Sequence, residues 1–283
     1  MSILEFIIHY ETEIRISSFI FMLCLIAAWE ITLPKRALQV NKTTRWLNNI
    51  SITALNTAIV RFILPTAAVG VALYAEKHGL GLMNALDVPL MISLPLTIII
   101  MDLIIYLQHI IAHIVPIFWR LHRVHHADLD YDVTTGARFH PIEIILSMLV
   151  KFATITLLGA PAVAVILFEV ILNGMAMFNH GNIKLPKKVD NILRLIFVTP
   201  DMHRVHHSTE RDETNSNYGF NLSVWDRLFG TYIEQPRKGH TDMVIGIPEF
   251  RSERESSWIT GMLVMPFINK QASQRDKLHT DQD

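Results

Sequence analysis

The same pentapeptide, HRVHH, occurs twice in this chain of 283 residues. On a helix, positions i, i+3 and i+4 share one face, so each copy presents three imidazoles in one direction. An HxxxH pair upstream presents two more, and the histidines of the three motifs are His109 and His113, then His122, His125 and His126, then His203, His206 and His207. Neutral imidazole is a ligand for iron, zinc, copper and nickel. Eight histidines exceed one tetrahedral zinc site but suit two metal ions, so the pattern predicts a two-metal centre.

The alternative interpretation is that these histidines are structural. A single HxxxH pair on an apolar helix is more often a pair of core histidines than a metal site. Two identical HxxHH motifs and one HxxxH within about a hundred residues leave little room for that reading. The pattern therefore predicts metal binding while leaving the metal open. His140 and His180 stand alone between the two pentapeptides.

The composition indicates an integral membrane protein, because 51% of the residues are hydrophobic, 18% are charged and the mean hydropathy is +0.31. A net charge of −1 without a basic run argues against nucleic-acid binding. The single cysteine, Cys24, excludes a disulfide framework and a cysteine-ligated iron–sulfur cluster. The first residues lack the features of a cleaved signal peptide, so we expect the first apolar segment to be retained.

Three apolar runs, Ile16–Leu33, Ile50–Ala75 and Val88–Leu107, are long enough to span a membrane. The loop after the first run has four basic residues and no acidic one, and these are Lys35, Arg36, Lys42 and Arg45. The positive-inside rule places this loop in the cytoplasm. Counting spans from there, the histidine region also emerges on the cytoplasmic side.

A fourth apolar run, Ile144–Phe178, is interrupted by the sequence Gly-Ala-Pro at residues 159–161. One continuous helix would put His140 and His180 on opposite sides of the bilayer, whereas a hairpin returns them to the same side. Lys151 and Glu169 are nearly equidistant from the tip, so we expect them to pair at similar depth. The alternative is that each charge lines protein or reaches the interface alone.

Together these patterns predict an all-α integral membrane protein with about four membrane-associated helices, including the 144–178 hairpin, under a cytoplasmic histidine-rich helical cap. Thr199 and Pro200 are a typical start for the helix that carries the second HRVHH. Residues 1–250 are predicted to form a single membrane-embedded domain whose motif core spans residues 102–232. Residues 251–283 are mostly polar and are predicted to be a mobile C-terminal tail without catalytic duties.

The motifs HxxxH, HRVHH, RFHPIE, FNHGN, PDMHRVHH, NSNYG and WDRLFGTY follow one another from about Asp102 to Tyr232. In order and spacing they resemble the fatty acid hydroxylase/sterol desaturase superfamily. The resemblance implies a cytoplasm-facing di-iron centre, with zinc as a substitute in purified protein, and use of O2 to hydroxylate or desaturate a membrane lipid such as a sterol or a fatty acyl or alkyl lipid. It implies nine metal ligands, which are His109, His113, His122, His125, His126, His180, His203, His206 and His207.

Other residues are expected to support the ligands. Carboxylates that accept ring N–H groups would orient the imidazoles, and the candidates are Asp102, Glu143 and Asp201. Asp102 is equally well interpreted as a structural partner of Arg61. His140 is held as a supporting residue or an alternate ligand. Asn179 is a candidate for a supporting hydrogen bond, with an ordinary turn role as the alternative.

The sequence has no haem-attachment motif and no dinucleotide-binding fingerprint, so electrons must come from a separate reductase or carrier. Four basic residues are candidates for its docking surface, or mark the cytoplasmic interface, and these are Arg120, Arg123, Lys187 and Lys188. Hydroxylation is favoured over desaturation, which requires control of a second hydrogen abstraction. The competing hypothesis is a membrane metal-binding or transport protein without redox turnover. A transporter should hold its ligands near the midplane, whereas both triplets lie outside the apolar runs.

Overall fold

The computed structural model describes residues 1–270, which contain helices and no β-strand. Sixteen α-helices follow in chain order, and their bounds are α1 Ile3–His9, α2 Glu11–Thr32, α3 Lys42–Ile63, α4 Ala67–Lys77, α5 Leu82–Ala85, α6 Leu90–Ile114, α7 Pro116–His126, α8 Pro141–Leu158, α9 Ala162–Asn179, α10 Lys187–Leu193, α11 Pro200–His206, α12 Arg211–Thr214, α13 Val224–Leu228, α14 Gly239–Asp242, α15 Glu253–Ser256 and α16 Ile259–Val264. Two 3₁₀ turns cover Thr135–Ala137 and Met265–Phe267. The predicted all-helical fold is confirmed.

Five segments within residues 1–270 are long and apolar enough to cross a membrane, by length and composition. They are Glu11–Thr32, Lys42–Ala85, Leu90–Ile114, Pro141–Leu158 and Ala162–Asn179. Many of their apolar side chains are exposed, including Phe62 at 88% and Met91 at 90%. Exposed residues of this kind suit contact with lipid. The chain is an integral membrane protein.

The second predicted span is interrupted. The apolar run over residues 50–75 is divided between two helices, because α3 ends at Ile63 and α4 begins at Ala67. Pro65 explains the break, because its ring excludes the helical conformation at Leu64 and it has no N–H to continue the ladder. The third span is longer than predicted: α6 extends to Ile114 and therefore carries His109 and His113 on its last turns.

The α8–α9 hairpin is confirmed. Gly159 ends α8 with a φ of +68°, in the left-handed region, and Pro161 caps α9. A Cβ at Gly159 would lie 2.7 Å from the carbonyl oxygen of Leu80, so the tip packs closely on the turn after α4. His140 caps the start of α8 and His180 caps the end of α9. The hairpin therefore presents both histidines at its open end.

Three charged side chains meet between α2, α8 and α9. Lys151 Nζ lies 3.1 Å from Glu169 Oε1, as the sequence predicted, and Arg15 Nη2 lies 3.1 Å from Glu169 Oε2. The Glu169 side chain is only 3% exposed. A carboxylate inside an apolar helix bundle requires such partners.

The chain beyond residue 250 packs on α7 at least as far as Ile268. Met262 and Met265 join a buried apolar cluster with Val124 of α7 and with Ala127, the residue after α7. The predicted tail begins at residue 251, so its first part lies against α7. Residues 271–283 lie outside the described residues.

The charge triad supports a double-mutant test. We expect Glu169→Gln to reduce the free energy of unfolding by about 3 kcal/mol, because it leaves Lys151 without its buried counter-charge. Combining it with Lys151→Met should cost less than the sum of the two single changes. Equilibrium unfolding in detergent measures this coupling. Strictly additive effects would contradict the pair.

Candidate metal centre

Nine histidines assemble into two adjacent groups in the part of the chain that the structure describes. In each group, one ring nitrogen from every histidine lies within 4.8 Å of those of the other members. The first histidine group contains His109, His113, His122, His126 and His206. The second histidine group contains His125, His180, His203 and His207. These are the nine residues that the motif resemblance implied as ligands; His140 is in neither group.

The two HRVHH copies are shared between the groups rather than assigned one to each. The first copy gives its i and i+4 histidines, His122 and His126, to the first group and His125 to the second. The second copy does the reverse, giving His203 and His207 to the second group and His206 to the first. The i and i+4 side chains lie along one helix stripe and the i+3 side chain lies beside it, so each copy reaches two centres.

The ring tautomers follow from hydrogen bonds to backbone carbonyls, which only accept. His109 Nδ1 lies 2.7 Å from the Tyr218 carbonyl oxygen, and His206 Nδ1 lies 2.6 Å from that of Ser216. Each Nδ1 therefore carries the proton, and each Nε2 carries a lone pair. The two Nε2 atoms are 3.0 Å apart, so two lone pairs face each other without a proton between them.

His122 adds a third lone pair to the first group. Its Nδ1 donates to Glu143 Oε1 at 2.6 Å, and its Nε2 lies 3.0 Å from His109 Nε2. Glu143 was among the predicted carboxylates and fixes this ring as expected of a ligand. Three lone pairs that converge at hydrogen-bond distance repel one another, and a cation between them removes the repulsion.

The second group has the same character. His180 Nδ1 donates to the Ala176 carbonyl oxygen at 2.7 Å, while its Nε2 lies 3.1 Å from both His125 Nε2 and His203 Nε2. Both ring nitrogens of His207, and likewise of His126 in the first group, are buried without a hydrogen-bond partner. Buried polar atoms of this kind are costly unless something binds them. The donor set fits two cations with an affinity for nitrogen.

Burial keeps these imidazoles neutral. It lowers the pKa of His125, His126, His203, His206 and His207 well below the usual range, and the neighbouring imidazoles lower it further. The same burial lowers the pKa of His180 to about 4. Neutral imidazole is the form that binds metal ions, so the groups are ready to bind at neutral pH.

The other predicted carboxylates do not contact the histidine groups. Asp102 Oδ2 accepts from Trp225 Nε1 at 2.8 Å and from the Leu222 backbone N–H at 3.2 Å, and the structure shows no ion pair between Asp102 and Arg61. Asp102 therefore ties α6 to the segment around α13. Asp201 pairs with Arg204 at 2.6 Å and supports α11 from its side.

The remaining predicted residues, Asn179 and His140, make hydrogen bonds to backbone groups outside the two histidine groups. The Asn179 amide donates to the Phe220 carbonyl oxygen at 2.9 Å. His140 accepts at Nδ1 from the Ile142 N–H, and its Nε2 lies 3.3 Å from the Leu263 carbonyl oxygen. Thr199 caps α11 with Pro200 in the first turn, as predicted.

A buried acidic network directly after the first HRVHH was not predicted. Asp128, Asp130 and Asp132 are fully buried, and Arg45 binds Asp128 Oδ1 and Asp132 Oδ2 at 2.7 Å each. Although burial opposes it, the attraction of Arg45 holds the pKa of Asp128 well below its usual range. The sequence signal was the alternation of aspartates in DLDYD, at residues 128–132, shortly after the first HRVHH. This network joins α3 to the loop that follows α7.

Residues 94–231 match the family model described as fatty acid hydroxylase, and they contain both histidine groups. The matched region makes up just under half of the chain. This match confirms the resemblance that the histidine motifs indicated.

Among curated relatives, the chain is 32% identical over 182 residues to ornithine lipid hydroxylase OlsE of Rhizobium tropici, which is 64% of this chain and 52% of that protein. It is 31% identical over 139 residues to alkylglycerol monooxygenase of Homo sapiens, which is 47% of this chain and 29% of that protein. The chain thus spans about half or less of the length of these relatives. No solved structure matches the chain.

Gly136 offers a local test of the second histidine group. A Cβ at this position would lie 2.6 Å from the Ala176 carbonyl oxygen and 3.0 Å from His180 Nδ1, so Gly136→Ala must displace the bond that orients His180. We expect metal affinity to fall about 10- to 100-fold in a metal titration of the purified chain. Gly174→Ala on α9, whose Cβ would be 3.7 Å from its nearest atom, is the matched control. Equal affinities in the two variants would contradict this role of His180.

The depressed pKa of His180 predicts a pH dependence in chelator-treated protein. Burial lowers this pKa from 6.5 to about 4, so between these values the unfolded chain binds a proton that the folded chain does not. Stability is therefore fully present above about pH 6.5 and declines as the pH falls towards about 4. Melting temperatures across this range measure the effect. A curve that rises towards low pH would contradict it.

Proposed function

We propose that this chain is an O2-dependent di-iron enzyme that hydroxylates a C–H bond of a membrane lipid. The observation that carries the proposal is the convergence of unprotonated imidazole nitrogens in two adjacent groups. One cation in each group gives a pair of metal ions held only by neutral ligands. Iron suits imidazole donors and redox chemistry, and the two named relatives are a hydroxylase and a monooxygenase.

Iron bound at both groups would supply activation of O2 and the electrons shared between two metals. The chain's own residues hold the ligands in place. The Tyr218 and Ser216 carbonyls fix His109 and His206, and Glu143 fixes His122. All nine histidines except His113 are buried, which excludes bulk water and protects a reactive centre from side reactions.

The lipid would approach through the membrane. An apolar cavity of about 240 Å³ lies between α2 and α3, lined in part by Phe19, Leu23 and Ala54. Its inner wall includes Thr134 and Ala137, which flank Gly136 beside His180. A cavity of this size accommodates a segment of hydrocarbon chain rather than a whole lipid. The proposed substrate is therefore a lipid whose chain enters laterally while its polar group stays at the interface.

We place the metal centre on the cytoplasmic side. The basic loop between α2 and α3 packs against the histidine-bearing region: Lys35 Nζ lies 2.5 Å from Asp201, and the Gln39 N–H donates to Asp130 at 2.9 Å. The loop and the centre therefore share one side of the bilayer. Its positive charge favours the cytoplasm.

We propose that the electrons come from a separate carrier, and the contacts of the four basic residues bear on where it docks. Arg120 and Arg123 bind backbone carbonyls of residues 265–268, so they are engaged within the chain. Lys187 and Lys188, at the start of α10, are exposed. We assign these two lysines to the surface that binds an acidic electron carrier.

The test combines metal content with product formation. Detergent-purified protein should hold about two irons per chain, and expressing cells supplied with ¹⁸O2 should incorporate label into a hydroxylated lipid. Ornithine lipids and alkylglycerols, named by the relatives, are the first classes to examine. The double variant His125→Ala with His206→Ala removes one ligand from each group and should lose both metal and product.

His78→Ala is the matched control, because His78 is exposed and contacts Tyr74 outside both groups. It should retain full metal and activity. If the purified protein contains zinc instead of iron, it must be reconstituted with ferrous iron before the activity assay. Stoichiometric metal without labelled lipid would favour the alternative of a membrane metal-binding protein. No stoichiometric metal in the wild-type chain would contradict the proposal.

A further inference from the structure

Each HRVHH copy has an arginine in its second position, Arg123 or Arg204. A residue one step along a helix is turned about 100° from its predecessor, so these arginines leave the face that carries the i and i+4 histidines. Arg204 Nη2 donates to the Gly181 carbonyl oxygen at 3.3 Å, and Nη1 pairs with Asp201 at 2.6 Å. The second copy is thereby fastened to the residue that follows His180.

Arg123, at the equivalent position, fastens the first copy to a different partner. Its Nη2 lies 2.5 Å from the Met265 carbonyl oxygen and 2.7 Å from that of Ile268. Arg120, one turn earlier, donates from Nε to the Pro266 carbonyl oxygen at 2.6 Å. We call residues 247–268 the C-terminal segment. The two guanidinium groups donate hydrogen bonds to the backbone carbonyl oxygens at its end.

The C-terminal segment is also attached to the loop that follows α7. Arg138 Nη2 donates to the Ser256 carbonyl oxygen at 2.6 Å. Between these polar attachments, Val124 of α7 and Ala127, the residue after α7, pack on Phe250, Met262 and Met265. The segment therefore covers the apolar side of α7, and its backbone accepts hydrogen bonds from three arginines around the histidine groups.

This contact bears on the metal ligands because α7 is short. A helix of 11 residues has little stability alone, so tertiary contacts determine its orientation. α7 carries His122 and His126 of the first histidine group and His125 of the second. A small rotation of α7 would move three donor atoms in two groups at once.

We propose that the C-terminal segment positions the metal ligands of α7. In this proposal Arg123 is a positioning residue that holds α7 at the rotation that its three histidines require. The inference rests on the proposed function only in that the two groups bind metal ions. It assigns a role to a stretch that the sequence marks as a tail. It also explains why HRVHH keeps the same arginine position in both copies: each arginine secures its helix from the side.

The test is a cobalt titration of the full-length chain in detergent, read by the visible absorption of Co²⁺, which depends on coordination geometry. We expect Arg123→Ala to weaken cobalt binding about 10- to 100-fold and to change the spectrum. Arg123→Lys retains a donor and a positive charge and should restore part of the affinity. Arg227→Ala is the control, because Arg227 donates to the Ser223 carbonyl oxygen away from the histidines.

A second variant perturbs the segment without touching an arginine. A Cβ at Gly261 would lie 2.3 Å from the Glu255 carbonyl oxygen and 2.5 Å from that of Arg254, so Gly261→Ala must shift the segment. It should weaken cobalt binding in the same direction. Gly174→Ala, which has room for its methyl group, should leave binding unchanged.

The outcomes separate the two claims. If the wild-type chain binds no cobalt, the proposed function fails. If the wild-type chain binds two ions and both Arg123→Ala and Gly261→Ala match its affinity and spectrum, the positioning role alone is overturned. Melting curves show which variants are folded. If Arg123→Ala and Gly261→Ala are not folded, Arg120→Ala, at a half-buried position, replaces them. Weaker cobalt binding by this variant supports the positioning role, and unchanged cobalt binding overturns it.

Discussion

The arrangement of this protein depends on one electrostatic constraint: imidazole nitrogens without protons point at one another inside a buried site. In the first histidine group, the rings of His109, His122 and His206 each use Nδ1–H elsewhere, which leaves their Nε2 atoms 3.0 Å apart in two pairs. No hydrogen bond satisfies such contacts, because neither nitrogen has a proton to share. A metal ion between the nitrogens would satisfy them, and the surrounding carbonyls and Glu143 stabilise the tautomer that leaves Nε2 free to bind it.

The long apolar helices bring these histidines together. The end of α6 supplies His109 and His113, and the α8–α9 hairpin brings His180 to the same end of the bundle. Buried ion pairs hold the loop that follows α7, because Arg45 of α3 binds Asp128 and Asp132 in that loop. The nine histidines thus lie where several of the apolar helices end, and this position suits the proposed lipid substrate.

Features with a short-range signature were predictable from the sequence. Helical spacing identified the HxxHH faces, Gly159 and Pro161 marked the hairpin, and an unpaired charge in a span required the Lys151–Glu169 contact. The sharing of each HRVHH copy between two groups was not predictable, because it depends on how α7 and α11 approach each other. The contact between the C-terminal segment and α7 was not predicted for a related reason. The apolar residues between Trp258 and Ile268 pack on α7, and no local sequence pattern indicates which helix they contact.

The central claim is that two metal ions each take ligands from both HRVHH copies. Anomalous diffraction at the iron edge, from crystals of the iron-loaded chain, tests it most directly. The account predicts two peaks, one among the ring nitrogens of the first histidine group and one among those of the second. A single peak, a peak bound by only one HRVHH copy, or no peak at either group would contradict it.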